Sequence, residues 1–332
     1  MLPVSSAALT LEAAVLSCLD QSLENLEILL ICNGSDAETR AVARRIGAAD
    51  RRVRLFEAPS FFDALEMGWR QARAPLLARM DADDLSAPTR FERQLEFLNE
   101  NSELSACASL VTIRRRSGEG KLIAPADGYA LFERWLNETL APEAIARERF
   151  IDSPIANPSA MIRREVFETI GGYRDLVWAE DYDFWLRMLD RGMRIGKVPE
   201  HLLTWIDGEE RMTRNHDRYT QDHFLQAKAH FLARLPIVRE KGMTICGAGP
   251  IGKRLAPFLQ DAGAEVHAFA EVSPRRIGNR IHGIEVRGPE WLESRPAHVM
   301  IGAVGLRGAR ERLRKLFAPL GYQEGEDFFL VA

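Results

Sequence analysis

A nearly continuous apolar run, 26–32, interrupted only by Glu27 and followed by the turn Asn33–Asp36, constrains the fold of this chain most strongly. An apolar run that ends in a glycine-containing turn is typical of a strand buried on both faces, and such strands lie in parallel sheets. Similar short apolar runs alternate with segments of helical periodicity along the chain. This alternation predicts an α/β fold with a doubly wound sheet, in which ligands bind at the carboxyl ends of the strands.

The order of the predicted elements follows from the periodicity of the apolar residues. Thr10 is expected to cap the first helix, whose apolar face ends at Leu19. A later helix is predicted to begin near Glu180 and Asp181, where acidic side chains complement the helix dipole. Further helices are expected at 38–46, 61–72, 88–99, 129–140, 164–170, 219–235, 253–262 and 308–317, and strands at 53–56, 76–80, 107–113, 160–162, 243–246, 265–270, 299–303 and 328–331.

An acidic segment, Met80–Asp84, places three carboxylates within four residues directly after the apolar run 75–79. Because these carboxylates repel one another at the tip of a buried strand, the segment predicts a bound cation. Mg²⁺ and Mn²⁺ bind through one or two carboxylates and complete their shells with water and substrate phosphates. The alternative is a solvated acidic turn in which Asp84 or Ser86 caps the helix opened by Pro88. The segment alone leaves both interpretations open.

Charge and cysteine content restrict the classes of partner and compartment. A net charge of −4 provides no global basic field, so nucleic acid is not an expected partner. The four cysteines lie far apart without a C-x-x-C pair, which argues against a zinc site or a disulfide framework and favours the cytoplasm. No apolar run approaches the roughly 18 residues of a membrane span, and no signal peptide is recognisable. Peripheral contact with the inner face of a membrane stays open.

A glycine-rich turn near the C-terminus predicts a second domain. Gly247, Gly249 and Gly252 follow a predicted strand and open a predicted helix, and Glu271 ends the next strand 19 residues after Gly252. In dinucleotide-binding units the glycines admit a diphosphate to the helix N-terminus and the acid receives ribose hydroxyls. We therefore expect two domains, 1–235 and 236–332, and a nucleotide or NAD(P) site in the second.

Five blocks in sequence resemble the family 2 glycosyltransferases with a GT-A fold, which implies a Rossmann-like mixed sheet flanked by helices, followed here by a second, small Rossmann-like βαβ domain. Segment 3–21 is similar to the family's first strand end and helix, and segment 31–36 to its second strand end. Segment 79–84 matches its D-x-D stretch. Segments 157–164 and 171–187 follow in the family's order and spacing. The resemblance covers about two-thirds of the chain and favours the cation interpretation of the acidic segment.

The resemblance implies a function and roles for individual residues. It implies an inverting, metal-dependent transfer of a sugar from a nucleotide-diphosphate donor to a saccharide or lipid-linked acceptor, in polysaccharide or glycolipid synthesis. Asp83 is then the more direct ligand of Mn²⁺ or Mg²⁺, with Asp81 and Asp84 assisting, and Asp181 is the base supported by Glu180. The donor-binding positions implied by the family are Pro3, Val4, Ser5, Asn33, Asp81 and Asp83.

The chain departs from the family pattern in three ways. At most four residues represent a first strand that is usually longer, which predicts either a start upstream or a weakened nucleotide edge. Ser5 and Asn33 replace an aromatic and an acid that hold the nucleotide base, so the base stays undetermined. His216 is the best candidate for a further metal ligand, and the alternative is a solvent-facing histidine that opens the next helix.

The second domain resembles the small nucleotide-binding domains fused to bacterial sugar acyltransferases. A bound nucleotide and a structural or homo-oligomerising role are both compatible with it. Two further functions compete with sugar transfer, namely a nucleotide-sugar oxidoreductase or epimerase and a noncatalytic nucleotide-sugar binding protein. The absence of a Tyr-x-x-x-Lys pair from this domain argues against the oxidoreductase, while the shortened first strand keeps the binding protein open.

Overall fold

The computed structural model describes residues 1–117, 120–208 and 216–332, which form two compact units. The first unit contains 1–145, 154–176 and the described residues from 180 onward up to 208. The second contains Ala146–Ser153, Val177–Ala179 and His216–Ala332. This division differs from the predicted boundary at 235/236, because the helix Gln221–Leu232 belongs to the second unit. The boundary between independently folding domains stays a prediction.

Two sheets form the first unit. The first sheet is parallel and has the order β1 (Leu2–Val4), β2 (Ile28–Asn33), β3 (Val53–Ala58). The second is mixed and contains β4 (Leu76–Ala78), β5 (Leu85–Ser86), β6 (Leu104–Arg116), β7 (Leu122–Ile123), β8 (Met161–Arg163) and β9 (Arg194–Asp207). Its order is β4-β8-β6-β9-β5, with β7 paired to β6.

Helices flank these sheets. They are α1 (Leu11–Leu19), α2 (Ala37–Ala49), α3 (Phe61–Gln71), α4 (Arg90–Glu100), α5 (Asp127–Glu138), α6 (Pro142–Glu148), α7 (Arg164–Ile170) and α8 (Glu180–Asp190), and a short 3₁₀ helix spans Asn157–Ser159. One group of buried side chains from β2 and α1 and another from β2, α3, α7 and α8 form the core of this unit.

The strand β2 confirms the prediction made from the apolar run. All six of its residues are buried, and it pairs in parallel with both β1 and β3. Helix α1 also buries the predicted apolar face. The predicted cap by Thr10 is wrong, because the Thr10 hydroxyl donates to the Ala7 carbonyl instead of accepting a helix N–H.

The acidic-turn alternative also predicted a cap that is absent. Thr89 precedes α4, and neither Asp84 nor Ser86 occupies that position. Ser86 lies in β5, and the Asp84 carboxylate Oδ1 accepts the N–H of Ile206 at 2.8 Å. Asp84 therefore ties the acidic segment to the long strand β9.

The second unit has a single sheet of the order β12-β13-β11-β10-β14-β15. All neighbours in it are parallel except β12 and β13. Its elements are α9 (Gln221–Leu232), α10 (Pro236–Lys241), β10 (Met243–Cys246), α11 (Pro250–Asp261), β11 (Val266–Ala270), β12 (Arg280–Ile281), β13 (Ile284–Arg287), α12 (Pro289–Glu293), β14 (Val299–Gly302), α13 (Ala309–Phe317) and β15 (Phe328–Leu330). The predicted α/β class, with mixed sheets flanked by helices, is confirmed.

Within the part of the chain that the structure describes, no helix combines the length and the apolar character needed to cross a lipid bilayer.

Candidate active site

The first two strands bring the predicted donor-binding residues together. Pro3 and Val4 pair with Ile31 and Cys32 of β2, and Asn33 ends that strand. The Ser35 hydroxyl donates to the Val4 carbonyl at 2.7 Å and joins the two strand ends. Ser5 follows β1 and is exposed. Because both strands are parallel, these positions lie at one edge of the sheet, where α/β folds bind ligands.

The short first strand is continued toward β4 by Met1. The Met1 amino group donates to the Ala78 carbonyl at 2.8 Å, and the Met80 N–H donates to the Met1 carbonyl at 3.1 Å. These bonds satisfy backbone groups that a shorter strand leaves open. They also place Met80, the first residue of the acidic segment, beside Met1, which directly precedes β1.

Asn33 has an unused hydrogen-bond acceptor. The residue is only 8% exposed, and its Oδ1 has no hydrogen-bond partner among residues 1–117, 120–208 and 216–332. A buried acceptor without a partner costs free energy unless a ligand or water supplies a donor. Asn33 is therefore suited to accept an N–H from a bound molecule.

A buried arginine holds the first carboxylate of the acidic segment. Arg79 is 1% exposed, and its Nη2 lies 2.7 Å from Oδ1 of Asp81. The guanidinium also donates to the Met80 carbonyl. Although burial lowers the pKa of Arg79, the charges of Asp81, Tyr173 and Glu180 raise it overall. Arg79 thus stays charged next to Asp81.

Asp83 and Asp84 differ in their surroundings. Asp83 is partly exposed, whereas Asp84 is fully buried and accepts the Ile206 N–H. Among the described residues, no group of three or more His, Cys, Asp and Glu side chains is arranged to hold a metal ion. Asp81 and Asp83 instead fit an ion held by one or two carboxylates and by the phosphates of a substrate, the usual mode for Mg²⁺.

The start of α8 supplies the second pair of acids. Glu180 is 2% exposed, and Asp181 is half-buried with its Oδ1 accepting the Tyr182 N–H at 2.7 Å. Burial, followed by the charges of Glu180 and Asp81, raises the pKa of Asp181 to about 7, while Arg79 opposes the rise. A carboxyl group with this pKa is matched to proton transfer near neutral pH.

These electrostatic interactions indicate that Asp81, after β4, and the acids at the start of α8 lie close together. Both Asp81 and Asp181 interact with Arg79, and Asp81 acts on Asp181 directly. The buried Tyr173 hydroxyl joins the same cluster, because the charges of Arg79, Glu180 and Asp181 all act on it. Its pKa is raised above the usual range, mainly by burial. The cluster is therefore built around Arg79.

The sequence reasoning did not identify Arg79 or Tyr173. The position of Arg79 at the end of an apolar strand could have identified it as part of the site, because a buried guanidinium needs charged partners. No comparable signal marks Tyr173, which reaches the cluster through the turn after α7. Asp183 was also unassigned, and the structure gives it ion pairs with Arg174 and Arg187, at 2.7 Å to Arg187. Asp183 thereby anchors α8.

His216 is a solvent-facing residue at the start of a short helix, as the alternative to a metal ligand predicted. Its ring Nδ1 accepts the Arg218 N–H at 3.2 Å, ahead of the 3₁₀ helix Asp217–Tyr219. The residue is exposed and belongs to the second unit. The polar segment 207–214 is predicted from the sequence to form a loop over the site, and residues 209–215 lie outside the described residues. A metal-binding role for His216 stays a prediction.

The glycine turn of the second unit joins a strand, β10, to a helix, α11, as the sequence predicted. A Cβ at Gly252 would lie 2.0 Å from the Gly247 carbonyl oxygen, so the helix packs closely on the strand. Gly247 has a φ of +115°, which favours glycine. At Gly249 no atom lies within 4 Å of such a Cβ.

Glu271 was predicted to receive ribose hydroxyls, but its carboxylate already binds groups of the protein. Its carboxylate accepts the N–H groups of Ala248, Val272 and Ser273 and forms an ion pair with Arg276 at 2.8 Å. Although burial alone raises it, the pKa of Glu271 is lowered by these bonds. A carboxylate offers about four lone-pair sites, so these four bonds occupy the positions needed for ribose hydroxyls. The nucleotide or NAD(P) site stays a prediction.

Comparison with known proteins places this arrangement in a family. The profile of the family described as glycosyl transferase family 2 matches residues 2–171, just over half of the chain. The O-antigen biosynthesis glycosyltransferase WbnJ of Escherichia coli is 26% identical over 196 residues, which cover 57% of this chain and 71% of WbnJ. An uncharacterized glycosyltransferase of Haemophilus influenzae is 26% identical over 200 residues, which cover 59% of this chain and 60% of that protein.

Solved structures share the fold at low sequence identity. S. aureus TarS (residues 1–349) in complex with UDP-GlcNAc has a TM-score of 0.54 at 12% identity, covering 78% of this chain and 70% of that one. The mannosyltransferase PcManGT from Pyrobaculum calidifontis, in complex with GDP-Man and Mn²⁺, has a TM-score of 0.50 at 15% identity, covering 98% of this chain and 80% of that one. The predicted GT-A fold is confirmed. From the matched profile and the fold together, we conclude that the chain belongs to glycosyl transferase family 2.

Proposed function

We propose that the first unit transfers a sugar from a nucleoside-diphosphate donor to a hydroxyl group of a saccharide or lipid-linked acceptor. The relative WbnJ is named for O-antigen biosynthesis, and the TarS and PcManGT structures contain UDP-GlcNAc and GDP-Man. These names support a role in polysaccharide or glycolipid assembly. The observation that carries the proposal is the charge cluster of Asp81, Arg79, Glu180 and Asp181.

Asp181 is the proposed general base. A base must remove the acceptor's hydroxyl proton as the new glycosidic bond forms. Burial and neighbouring carboxylates raise the pKa of Asp181 to about 7, so it holds a proton at neutral pH more strongly than a solvated aspartate. Glu180 contributes to this rise and is a positioning residue in the proposal.

The transfer is proposed to invert the anomeric configuration. A single displacement brings the acceptor oxygen to the face opposite the leaving diphosphate, and the transition state has oxocarbenium character as in glycoside hydrolysis. Asp181 comes from α8, whereas Asp81 and Asp83 come from the segment after β4. The proposed base and the residues proposed to hold the leaving diphosphate therefore belong to separate elements. In this proposal the acceptor hydroxyl is deprotonated on one face of the sugar and the diphosphate departs from the other.

Asp83 and Asp81 are the proposed residues of a divalent ion site. When bound, Mn²⁺ or Mg²⁺ offsets the negative charge that develops on the leaving diphosphate. Arg79 fixes the orientation of Asp81 through the 2.7 Å ion pair. We leave Asp84 out of this set, because its carboxylate is buried and accepts the Ile206 N–H.

The strand ends of β1 and β2 are the proposed site of the nucleoside. Pro3, Val4 and Ser5 line one strand end, and Asn33 ends the other. The unused Asn33 Oδ1 would accept a ring N–H of the base, which both uracil and guanine offer. Neutral Asn33 thus replaces the family's acid without losing an acceptor.

The compartment proposed for the reaction is the cytoplasm. Cys18, Cys32, Cys107 and Cys246 are all buried and free, as expected for a protein kept in a reducing environment. A lipid-linked acceptor would bring the protein to the inner face of a membrane.

The proposal is tested by measuring release of nucleoside diphosphate from UDP-, GDP- and dTDP-sugars, with and without Mn²⁺. One donor class should be turned over in a metal-dependent manner, and Asp83→Ala should abolish that turnover. The anomeric configuration of the product, determined by NMR, tests inversion. Absorbance changes with NAD(P) in place of transfer, or binding of sugar nucleotides without turnover, would contradict the proposal.

A further inference from the structure

The second unit contains a pocket that the transfer reaction does not use. It has a volume of about 280 Å³ and opens where β10, β11 and β14 end, between α12 and α13. Strands β10 and β14 lie side by side, although β11 and β13 precede β14 in sequence. This is the point at which the strand order reverses, where open α/β sheets bind their ligands.

The wall of the pocket is almost entirely apolar. Its lining includes Ala270, Val272, Leu292, Val304, Leu306 and Leu313. Polar groups buried against such a wall without partners cost free energy, so a sugar or diphosphate is poorly matched to it. The volume is many times the roughly 10–15 Å³ that a single water needs, so the pocket has room for a chain of several methylene groups.

The polar groups at the base of the pocket are already engaged. Glu271 lines the pocket, but its carboxylate accepts three backbone N–H groups and pairs with Arg276. One of those N–H groups, that of Ala248, belongs to the glycine turn. A diphosphate approaching this turn would therefore meet an anion that occupies a backbone donor.

The mouth of the pocket combines exposed apolar side chains with cations. Val272 is 74% exposed and Leu306 is 72% exposed, which is unusual for two large apolar residues at one opening. Arg312 lines the pocket and is exposed beside Arg307. In the described part of the chain, neither arginine takes part in an ion pair.

We infer that this pocket binds a lipid phosphate, with an alkyl or isoprenoid chain between β11, β14 and α13 and the phosphate beside Arg312. The chain fills the apolar volume, and Val272 and Leu306 cover the segment that leaves it. The guanidinium of Arg312 offers the paired donors that a phosphate accepts. All residues that line this pocket belong to the second unit.

The test is calorimetric titration of the full chain with decyl phosphate below its micelle concentration. Shortening the chain to octyl and hexyl phosphate should weaken binding by about fourfold per methylene removed, because each lost group removes apolar burial. Decanol should bind about tenfold more weakly than decyl phosphate, since it lacks the charge. Neither NAD⁺, ADP nor UDP-GlcNAc should compete.

Two surface variants and two matched controls locate the site. Arg312→Ala should weaken decyl phosphate about tenfold and leave decanol unchanged. Leu306→Ser should weaken both probes. Leu9→Ser, at a leucine 98% exposed in the first unit, and Arg239→Ala, at an exposed arginine, should bind like the wild type.

The inference is overturned by any of three results. These are no binding of decyl phosphate, equal binding by Arg312→Ala and the wild type, or displacement of the probe by NAD⁺, ADP or UDP-GlcNAc. Because the readout is heat of binding, failure of the proposed sugar transfer would not alter the outcome. All four variants change exposed side chains, and their thermal unfolding should match that of the wild type.

Discussion

Arg79 and Asp81 form an ion pair of 2.7 Å in which only 2% of the arginine side chain is exposed. Glu180, brought by α8, acts on the same guanidinium. The pair therefore connects the donor-side acids with the proposed base, although about 100 residues separate them in sequence. Removing charges around Arg79 should consequently change the acidity of Asp181.

Opposite shifts in the pH profile are expected from two substitutions. Glu180→Gln removes a negative charge that raises the pKa of Asp181, so the acidic limb of kcat/KM should move to lower pH by about one unit. Arg79→Met removes the charge that lowers this pKa, so the limb should move to higher pH. In the wild type the limb should lie near pH 7.

The control for these profiles is Glu138→Gln, which neutralises an exposed carboxylate at the end of α5. It should leave the acidic limb in place. Arg79→Lys should restore much of the wild-type profile, since it keeps the positive charge. Shifts of the same sign for Glu180→Gln and Arg79→Met would exclude Asp181 as the group that titrates.

Substitutions of the adjacent residues Asp83 and Asp84 should affect turnover and stability differently. Asp83→Asn should reduce turnover at least 100-fold, because it weakens the proposed ion site, and should lower the free energy of unfolding less than Asp84→Asn does. Asp84→Asn should destabilise the fold by about 1–3 kcal/mol, because the buried carboxylate accepts the Ile206 N–H. Urea unfolding and donor turnover measured on both variants separate the two roles. Equal losses of stability would contradict the assignment.

Replacing the buried Lys197 by methionine should stabilise the protein in a pH-dependent manner. Lys197 is 4% exposed, its Nζ donates to the Leu136 carbonyl at 2.6 Å, and burial lowers its pKa to about 7. The unfolded chain therefore binds more protons between about pH 7 and 10, and stability rises with pH through this window. Lys197→Met should stabilise the protein by about 2 kcal/mol at pH 7 and by little near pH 10.

Thermal and urea unfolding at pH 6, 7 and 10 test this prediction. Lys241→Met changes an exposed lysine and should show no pH-dependent difference from the wild type. If Lys197→Met is destabilised equally at all three pH values, the hydrogen bond to Leu136 outweighs the cost of burying the charge.

Two glycines of the second unit provide a matched pair. Gly252→Ala places a methyl group 2.0 Å from the Gly247 carbonyl oxygen and should cost about 1–3 kcal/mol of unfolding free energy. Gly249→Ala meets no atom within 4 Å at a φ of −83° and should cost less than about 1 kcal/mol. Urea unfolding compares them. Equal costs would show that the helix does not approach the strand this closely.

Local patterns were sufficient for elements whose apolar residues form an uninterrupted run or a regular helical period. The run that forms β2 and the periodicity of α1 predicted both the element and its buried residues. The long strand β9 was missed, because Gly196 and Pro199 interrupt its pattern. Its pairing with β6 contains register shifts between Leu104 and Val111, so regular alternation is lost.

The site was predictable only where residue type reveals chemistry. Clustered carboxylates marked Asp81, Asp83 and Asp181, but their partners come from distant segments. The sequence did not show that the Glu271 carboxylate would accept the N–H of Ala248. Nor did it show that the Asp84 carboxylate would accept the N–H of Ile206. Both outcomes depend on strand register, which is set by tertiary packing and not by local pattern.

The central claim is that one cleft contains the acids of both segments. A crystal structure with the turned-over nucleoside diphosphate and Mn²⁺ tests it most directly. We expect the ion about 2.1 Å from an Asp83 oxygen, the Arg79–Asp81 pair intact, and the Asp181 carboxylate facing the space for the sugar. A nucleotide and ion bound away from Asp83, or an Asp181 side chain facing solvent outside the nucleotide cleft, would contradict the account.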